Sequence, residues 1–166
     1  PACILALATN IVIKGSSGER TVPADKFFID TFTTAVEENE LITEVIVPVL
    51  KQGTGSSYQK FDNKASHFAV VGSSAVARMS GNNFDEIKIG ITGAGGTATR
   101  AKTVEDLLNG NQATDELISK ASEQASDGID CLSDIHASSD YRAHLAQVLT
   151  KRAIKSRYLK SSLKFI

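Results

Sequence analysis

The feature that most constrains the fold is the strict alternation of the segment DEIKIGI, which begins at Asp85. Its three isoleucines fall on one face of a strand, whereas Glu86 and Lys88 fall on the other. A parallel strand is covered on both faces and reads as continuously apolar, so this pattern is typical of an antiparallel strand with one wet face. The segment therefore favours an antiparallel sheet over a doubly wound one.

Two more strands precede this segment, and helices follow it. We predict strands at residues 57–62, 68–79 and 85–93, with the turn SGNNF as the hairpin between the last two. From Thr103 the apolar period becomes helical. The predicted fold class is α+β: a three-stranded antiparallel sheet packed with a helical bundle.

The helix starts are predicted from residues that accept hydrogen bonds from free backbone N–H groups. Thr103 is expected to cap the first helix, Thr114 the second, and Ser138 or Ser139 the long last one. The outer side of the last helix is expected to be basic, with Arg142, Lys151, Arg152, Lys155 and Arg157.

Residues 1–50 form a separate block that is too small to be stable alone. NIVI and ELITEVIVP read as its strands, and the Gly/Ser-rich stretch at residues 49–56 is the best candidate for its boundary. The chain starts at Pro1 within an apolar helical pattern, so we expect it to be a fragment of a longer protein.

The composition excludes several classes of protein. The net charge of −1 gives no global argument for nucleic acid or an anionic membrane. No apolar run approaches the roughly 20 residues of a membrane span. Cys3 and Cys131 lie far apart in the sequence and no secretory signal is visible, so we expect reduced thiols and a cytoplasmic location.

Four local patterns suggest chemistry, and a structural role is favoured for each. Gly93, Gly95 and Ala98 fit a dinucleotide fingerprint, but the strand before them is half wet, so we interpret them as a tight turn. Cys131, His136 and His144 match no zinc spacing, and no metal site is predicted. The serines of VVGSSAV lie in a core strand, and the basic last helix favours a solvated face or subunit contact over nucleic acid.

The most informative segment is YQKFDNKASHF, residues 58–68, which runs directly into an apolar strand. Lysines and an aromatic ring at the entrance to a buried strand are compatible with a ligand that is flat and electron-rich. On this pattern alone, a ring in the core with the lysines in water is the favoured interpretation.

The order of several segments resembles the flavoprotein subunit of the molybdenum hydroxylases, the family of xanthine dehydrogenase and the carbon monoxide dehydrogenase medium subunit. The segments are GERTVPADKFF, ENELITEVIVP, YQKF, FAVVGSSAVARM, IKIGITGAGGTATRA and DYRAHLAQVLTKRA. The resemblance implies that residues 1–50 are the C-terminal part of an FAD-binding subdomain, a small α/β remnant. It implies that residues 55–166 are the family's C-terminal domain, and that the loops binding the FAD pyrophosphate belong to an upstream segment.

The resemblance also implies site residues. Leu41 and Ile42 fall where the family packs aliphatic groups near the isoalloxazine ring, Lys60 where it has a lysine near the flavin, and Phe68 where it has an aromatic residue over the ring. The chain departs from the family at His67, which replaces an acid, so the hydrogen bonds of this turn are expected to differ.

The function implied is electron transfer from iron–sulfur clusters through FAD to an acceptor, with no catalytic residue in this chain. The expected partners are a large molybdopterin subunit and a small [2Fe–2S] subunit. The alternative is a non-catalytic assembly module that docks subunits through Lys151, Arg152 and Lys155 of the basic helix.

Overall fold

The computed structural model describes the backbone of residues 1–162 and the side chains of residues 1–156. We refer to residues 1–50 as the first half of the chain and to the residues after them as the second half. The first half contains α1 (Ala2–Ala6), β1 (Asn10–Gly15), β2 (Gly18–Pro23), a 3₁₀ turn (Ala24–Lys26), β3 (Phe28–Asp30), β4 (Thr33–Thr34) and β5 (Glu40–Ile46). The second half contains β6 (Thr54–Asp62), β7 (Ala69–Ser80), β8 (Asn83–Thr92), β9 (Thr99–Arg100), α2 (Lys102–Leu108), α3 (Asp115–Ser122) and α4 (Ser139–Ser162). Within this described part of the chain, no helix has the length and apolar character that crossing a membrane requires.

The second half is built on an antiparallel sheet in the order β6-β7-β8-β9. Ile87, Ile89 and Ile91 are each at most 1% exposed, as the alternation of β8 predicts. The predicted α+β class is confirmed, and the three predicted strands are present with slightly different ends. The short strand β9 pairs with only two residues of β8, so it left no periodic signal in the sequence.

Helix α4 covers one face of this sheet, where β7 contributes small residues. Ala75 and Ala77 are buried on that face, and the Ser73 and Thr150 hydroxyls form a buried hydrogen bond of 2.8 Å. Small side chains allow the helix to lie close to the strand, while the hydroxyl pair satisfies two polar groups inside the core. Ser73 therefore has the packing role that the sequence predicts.

Helix α1 covers the opposite face and thereby joins the two halves of the chain. A Cβ added to Gly90 would lie only 2.2 Å from the Ala2 carbonyl oxygen, so the backbones of β8 and α1 touch directly. Glycine is needed at this position because any side chain would displace the helix.

The first half contains an antiparallel sheet in the order β2-β1-β5. Its small core consists of Leu5, Ile11, Ile13, Val22, Ala24 and Phe27. Strand β5 lies at the edge, and four of its apolar residues are 45–74% exposed: Leu41, Ile42, Val45 and Ile46.

The predicted helix caps are partly confirmed. Thr114 Oγ1 accepts a hydrogen bond from the Leu117 N–H at 3.1 Å, and Ser138 Oγ accepts one from the Tyr141 N–H at 3.3 Å. The prediction for Thr103 is wrong, because α2 begins at Lys102 after Ala101, which has no side-chain cap. Strand β9 leads directly into this helix, and the chain has no turn there in which Thr103 could act as a cap.

The prediction that Arg142 lies on the outer side of the last helix is also wrong. Arg142 is 5% exposed. Its Nη1 donates to the carbonyls of Val70 and Gly93 at 2.6 and 2.8 Å, and its Nη2 donates to Asp134 at 2.7 Å. The guanidinium of the first turn of α4 thereby reaches two carbonyls that lie just beyond the paired residues of β7 and β8.

The remaining basic residues of α4 differ in their surroundings. Arg152 is exposed, Lys151 is partly exposed, and Lys155 pairs with Asp115 at 3.0 Å. The predicted position of Arg157 lies outside the residues whose side chains the structure describes.

Candidate functional site

The turn between β6 and β7, residues 63–68, is held by its own hydrogen bonds. Asn63 N–H donates to the Phe68 carbonyl and His67 N–H donates to the Asn63 carbonyl, both at 2.8 Å. The Asn63 Oδ1 atom accepts hydrogen bonds from the N–H groups of Ala65 and Ser66 at 2.9 and 3.2 Å. Asparagine favours such turns because its short side chain bonds to nearby backbone. The six residues therefore form a defined turn, which we call the β6–β7 turn.

Lys60 lies next to this turn, as the sequence predicts for a residue at the strand entrance. Its Nζ atom donates to the His67 carbonyl at 2.9 Å and lies 4.0 Å from Asp62 Oδ2. Because His67 directly precedes Phe68, the structure brings Lys60 and Phe68 to the same end of the β6–β7 pair.

Phe68 exposes its ring although its backbone is fixed. Its N–H donates to Ser66 Oγ at 3.3 Å and its carbonyl accepts from Asn63, yet 72% of the residue is exposed. A large aromatic side chain would ordinarily be buried, so an exposed one on an ordered turn is a candidate contact for a ligand or partner.

The side chain of His67 contacts an acidic residue of β6. The His67 Nδ1 atom lies 3.1 Å from Asp62 Oδ2, two residues beyond Lys60 on β6. The hydrogen bond with the His67 side chain lowers the pKa of the Asp62 carboxyl below its usual value. Sequence reasoning did not identify Asp62, since a spacing of five residues across a turn has no helical or strand period.

The turn is also tied to the segment that precedes α4. The side-chain amide nitrogen of Asn63, Nδ2, lies 3.3 Å from His136 Nδ1. The rings of Phe61 and Tyr141 meet edge to face with centroids 6.0 Å apart. These contacts fix the β6–β7 turn relative to the helical layer.

Leu41 and Ile42 lie on β5, in the sheet of the first half. They are 74% and 50% exposed, and they pair with Lys14 and Ile13 of β1. Successive residues of a strand point to opposite faces, so a single flat ring would contact only one of the two directly. Ile42 shares the face of the buried Ile13, and Leu41 lies on the other face.

The glycine-rich segment after β8 has a structural role. Gly93 has a φ of +79°, and its carbonyl accepts a hydrogen bond from Arg142. The chain continues through a bridge between Gly95 and Cys131 into β9 rather than into a helix. The helix start that a dinucleotide pyrophosphate needs is therefore not at these glycines.

The candidate metal ligands make separate contacts within the fold. Cys131 is a free thiol whose backbone pairs with Gly95, and His136 contacts Asn63. Among the described residues, no group of three or more His, Cys, Asp or Glu side chains is arranged to hold a metal ion.

Comparison with protein families gives two matches. Residues 56–156 match the family described as the CO dehydrogenase flavoprotein C-terminal domain. Residues 1–50 match the FAD binding domain in molybdopterin dehydrogenase.

Individual relatives of the chain are medium chains of dehydrogenases. The chain is 35% identical to the carbon monoxide dehydrogenase medium chain of Hydrogenophaga pseudoflava, over 95% of this chain and 55% of the relative. It is 33% identical to the glyceraldehyde dehydrogenase medium chain of Sulfolobus acidocaldarius, over 93% of this chain and 55% of the relative. The chain therefore spans about half the length of these relatives.

Solved structures share the fold. The carbon monoxide dehydrogenase of Hydrogenophaga pseudoflava superposes with a TM-score of 0.92 at 35% identity, covering 96% of this chain and 56% of that chain. Quinoline 2-oxidoreductase from Pseudomonas putida 86 gives a TM-score of 0.87 at 25% identity, covering 97% of this chain and 56% of that chain.

Proposed function

The chain belongs to the CO dehydrogenase flavoprotein family, and we propose that it is part of the FAD-binding electron-transfer subunit of a molybdenum hydroxylase. In this proposal the subunit passes electrons from iron–sulfur clusters through FAD to an acceptor. Its partners are a large subunit that binds molybdopterin and a small subunit that binds [2Fe–2S] clusters. The observation that carries the proposal is the β6–β7 turn, which presents an exposed aromatic ring beside a lysine in a chain of this family.

The residues at this turn fit a flavin. Phe68 offers a ring with 72% of the residue exposed, and an aromatic face suits a flat conjugated ligand. Lys60 has three N–H donors, and its hydrogen bond to the His67 carbonyl uses one of them. In this proposal the Lys60 ammonium donates to an electronegative edge of the flavin, and Phe68 covers an apolar part of it.

We assign Leu41 and Ile42 to the same site as aliphatic groups from the first half of the chain. The alternation of β5 gives Leu41 the more accessible side chain, so we expect it to make the direct contact and Ile42 to support it.

The flavin supplies the redox chemistry when it is bound, and the chain supplies its environment. With a flavin bound beside the turn, the positive charge of Lys60 would favour negative charge on the reduced ring system. The apolar groups of Phe68 and Leu41 would exclude water from the ring. We assign no bond-making step to any residue of this chain.

The test is a titration of FAD into the full gene product, followed by flavin fluorescence and by redox titration. Phe68→Ala is expected to weaken FAD binding at least fivefold, since stacking on an aromatic side chain contributes about 1–3 kcal/mol. Lys60→Ala is expected to lower the flavin midpoint potential, because it removes the positive charge that favours the reduced form.

Matched controls are Phe32→Ala, which removes another exposed aromatic ring, and Lys120→Ala on α3. Unchanged FAD binding and potential in both Phe68→Ala and Lys60→Ala would refute the assignment of this site. The assembly alternative would then gain support if charge reversals at Lys151, Arg152 and Lys155 abolished assembly of the complex.

A further inference from the structure

The β6–β7 turn contains a histidine in a backbone conformation that is unusual for its residue type. His67 has a φ of +56°, in the left-handed region. Residues with a side chain rarely adopt this region, although histidine, asparagine and aspartate do so more often than others. Such a conformation persists only where surrounding contacts hold it.

Three contacts hold His67 in this conformation. Its N–H donates to the Asn63 carbonyl at 2.8 Å, its carbonyl accepts from Lys60 Nζ at 2.9 Å, and its ring lies 3.1 Å from Asp62 Oδ2. The backbone dihedrals of His67 set the direction in which the next residue leaves the turn. The contacts of His67 therefore determine where the ring of Phe68 points.

We propose that His67 is a positioning residue: its protonated imidazole, held by the Asp62 carboxylate, fixes the turn that presents Phe68 to the flavin. The role of the flavin rests on the proposed function, whereas the contacts of His67 are present in the chain itself. It follows that the direction of Phe68 changes as His67 gains and loses its proton.

The charges around the pair explain how loss of a proton would act. Lys60 Nζ lies 4.0 Å from the same Asp62 oxygen while bonded to the His67 carbonyl. When the imidazole is neutral, Lys60 is the remaining cation for Asp62 and is drawn away from that carbonyl. Two of the three contacts of His67 then weaken together.

Other charged and titratable groups lie on the elements around the turn. Lys64 belongs to the turn itself, and His136 reaches it through Asn63 at 3.3 Å. Asp134 accepts hydrogen bonds from the His136 N–H and from Arg142. His136 is a second histidine beside the turn, so its contribution is separated from that of His67 by mutation.

A fluorescent reporter tests the inference without flavin. The chain has no tryptophan, so F68W adds a single fluorophore to it at the position in question. We expect its emission, measured in the full gene product against the parent, to follow one titration within the range in which histidine side chains in general change charge. The titration should disappear in F68W with H67N and in F68W with D62N, and should remain in F68W with H136N.

The H67N change suits this test because asparagine also tolerates the left-handed region, so the turn can form without a titrating ring. Emission that is independent of pH, or a titration that survives H67N, would overturn the inference. A D62N variant that titrates like the F68W protein would also overturn it, because the carboxylate would then have no role.

The second readout is the dissociation constant for FAD at about pH 5.5 and about pH 8. We expect binding to be about two- to fivefold tighter at the lower pH, as fits a solvent-exposed ion pair, and equal at both in H67N. If FAD does not bind but the reporter titrates as expected, the proposed function fails while the positioning pair stands. If FAD binds and the reporter does not titrate, the function stands and the positioning role is wrong.

Discussion

The two halves of the chain bury their apolar residues very differently. The second half has a continuous core between its sheet and helices, with Phe84, Ile87, Ile89, Leu108 and Ile154 almost fully buried. The first half has a smaller core, and its edge strand β5 leaves apolar side chains exposed on both faces. Both halves contain antiparallel sheets, so the difference lies in what covers them.

The comparison teaches that the first half depends on contacts beyond its own core. Helix α1 packs on β8 of the second half through Gly90. A polar network adds support on the surface, where Arg20 donates to the Ala35 carbonyl at 2.5 Å and pairs with Glu40 at 2.6 Å. Exposed ion pairs contribute little stability, so this network does not replace a core.

The largest expected effect comes from the core of the second half. Phe84 is fully buried, and Phe84→Ala is expected to lower the free energy of unfolding by about 3–5 kcal/mol, from lost burial and the cavity left behind. Urea unfolding measures this change, with Phe32→Ala as the control. That control should change the free energy by less than about 0.5 kcal/mol, because Phe32 is fully exposed.

The matched variant Phe27→Ala sharpens the comparison, since Phe27 is 5% exposed in the smaller core. Hydrogen exchange should show earlier opening of amides in β1, while amides in β7 and β8 keep their protection. Equal loss of protection in both sheets would show that the halves unfold as one unit and would contradict the comparison.

A middle-sized effect is expected at the contact between the halves. Gly90→Val would force a side chain against the Ala2 backbone, and we expect a loss of about 1–3 kcal/mol from overpacking. Amides of α1 that bond within that helix, such as Leu5 and Leu7, should then exchange faster. Unchanged exchange in α1 would mean that the close approach does not hold the helix in place.

The smallest effect on stability is expected from lowering the pH. The hydrogen bond from Arg20 lowers the pKa of Glu40 from 4.5 to about 2, and hydrogen bonds from the His136 N–H and Arg142 lower that of Asp134 from 3.8 to about 2. Each pKa is lower in the folded than in the unfolded chain, so each contribution is present above the unfolded value and is lost as pH falls towards about 2.

Thermal unfolding between about pH 5 and about pH 2 measures this loss. Glu40→Gln should reduce the pH dependence of the first half, and Asp134→Asn that of the second. A pH dependence that neither variant changes would assign the acid sensitivity to other carboxylates. The two groups lie near the surface, so we expect both effects to be modest.

Local signals in the sequence predicted those parts of the fold that depend on neighbours in the chain. The alternation around Ile89 predicted a half-wet antiparallel strand, and Thr114 predicted a helix start. Thr103 carried the same kind of signal and was wrong, because β9 runs directly into α2. A capping residue indicates where a helix can begin, but the path of the preceding chain decides whether it does.

The site was predicted in part for the same reason. Lys60 and Phe68 were placed at the entrance of a strand, and the structure brings them to one turn, whereas their role toward a flavin stays a prediction. The pairing of Asp62 with His67 was not predicted, because it depends on how the turn folds back on β6.

The sequence by itself determined the α+β class, the antiparallel strands and the candidate residues, because burial on one face imposes a period that can be read along the chain. Only the tertiary structure decided that Arg142 is buried against two carbonyls, that Gly90 touches α1 and that Asp62 holds His67. These contacts join backbone and side chains across turns or between distant segments. Their geometry depends on packing, which leaves no periodic pattern in the order of the residues.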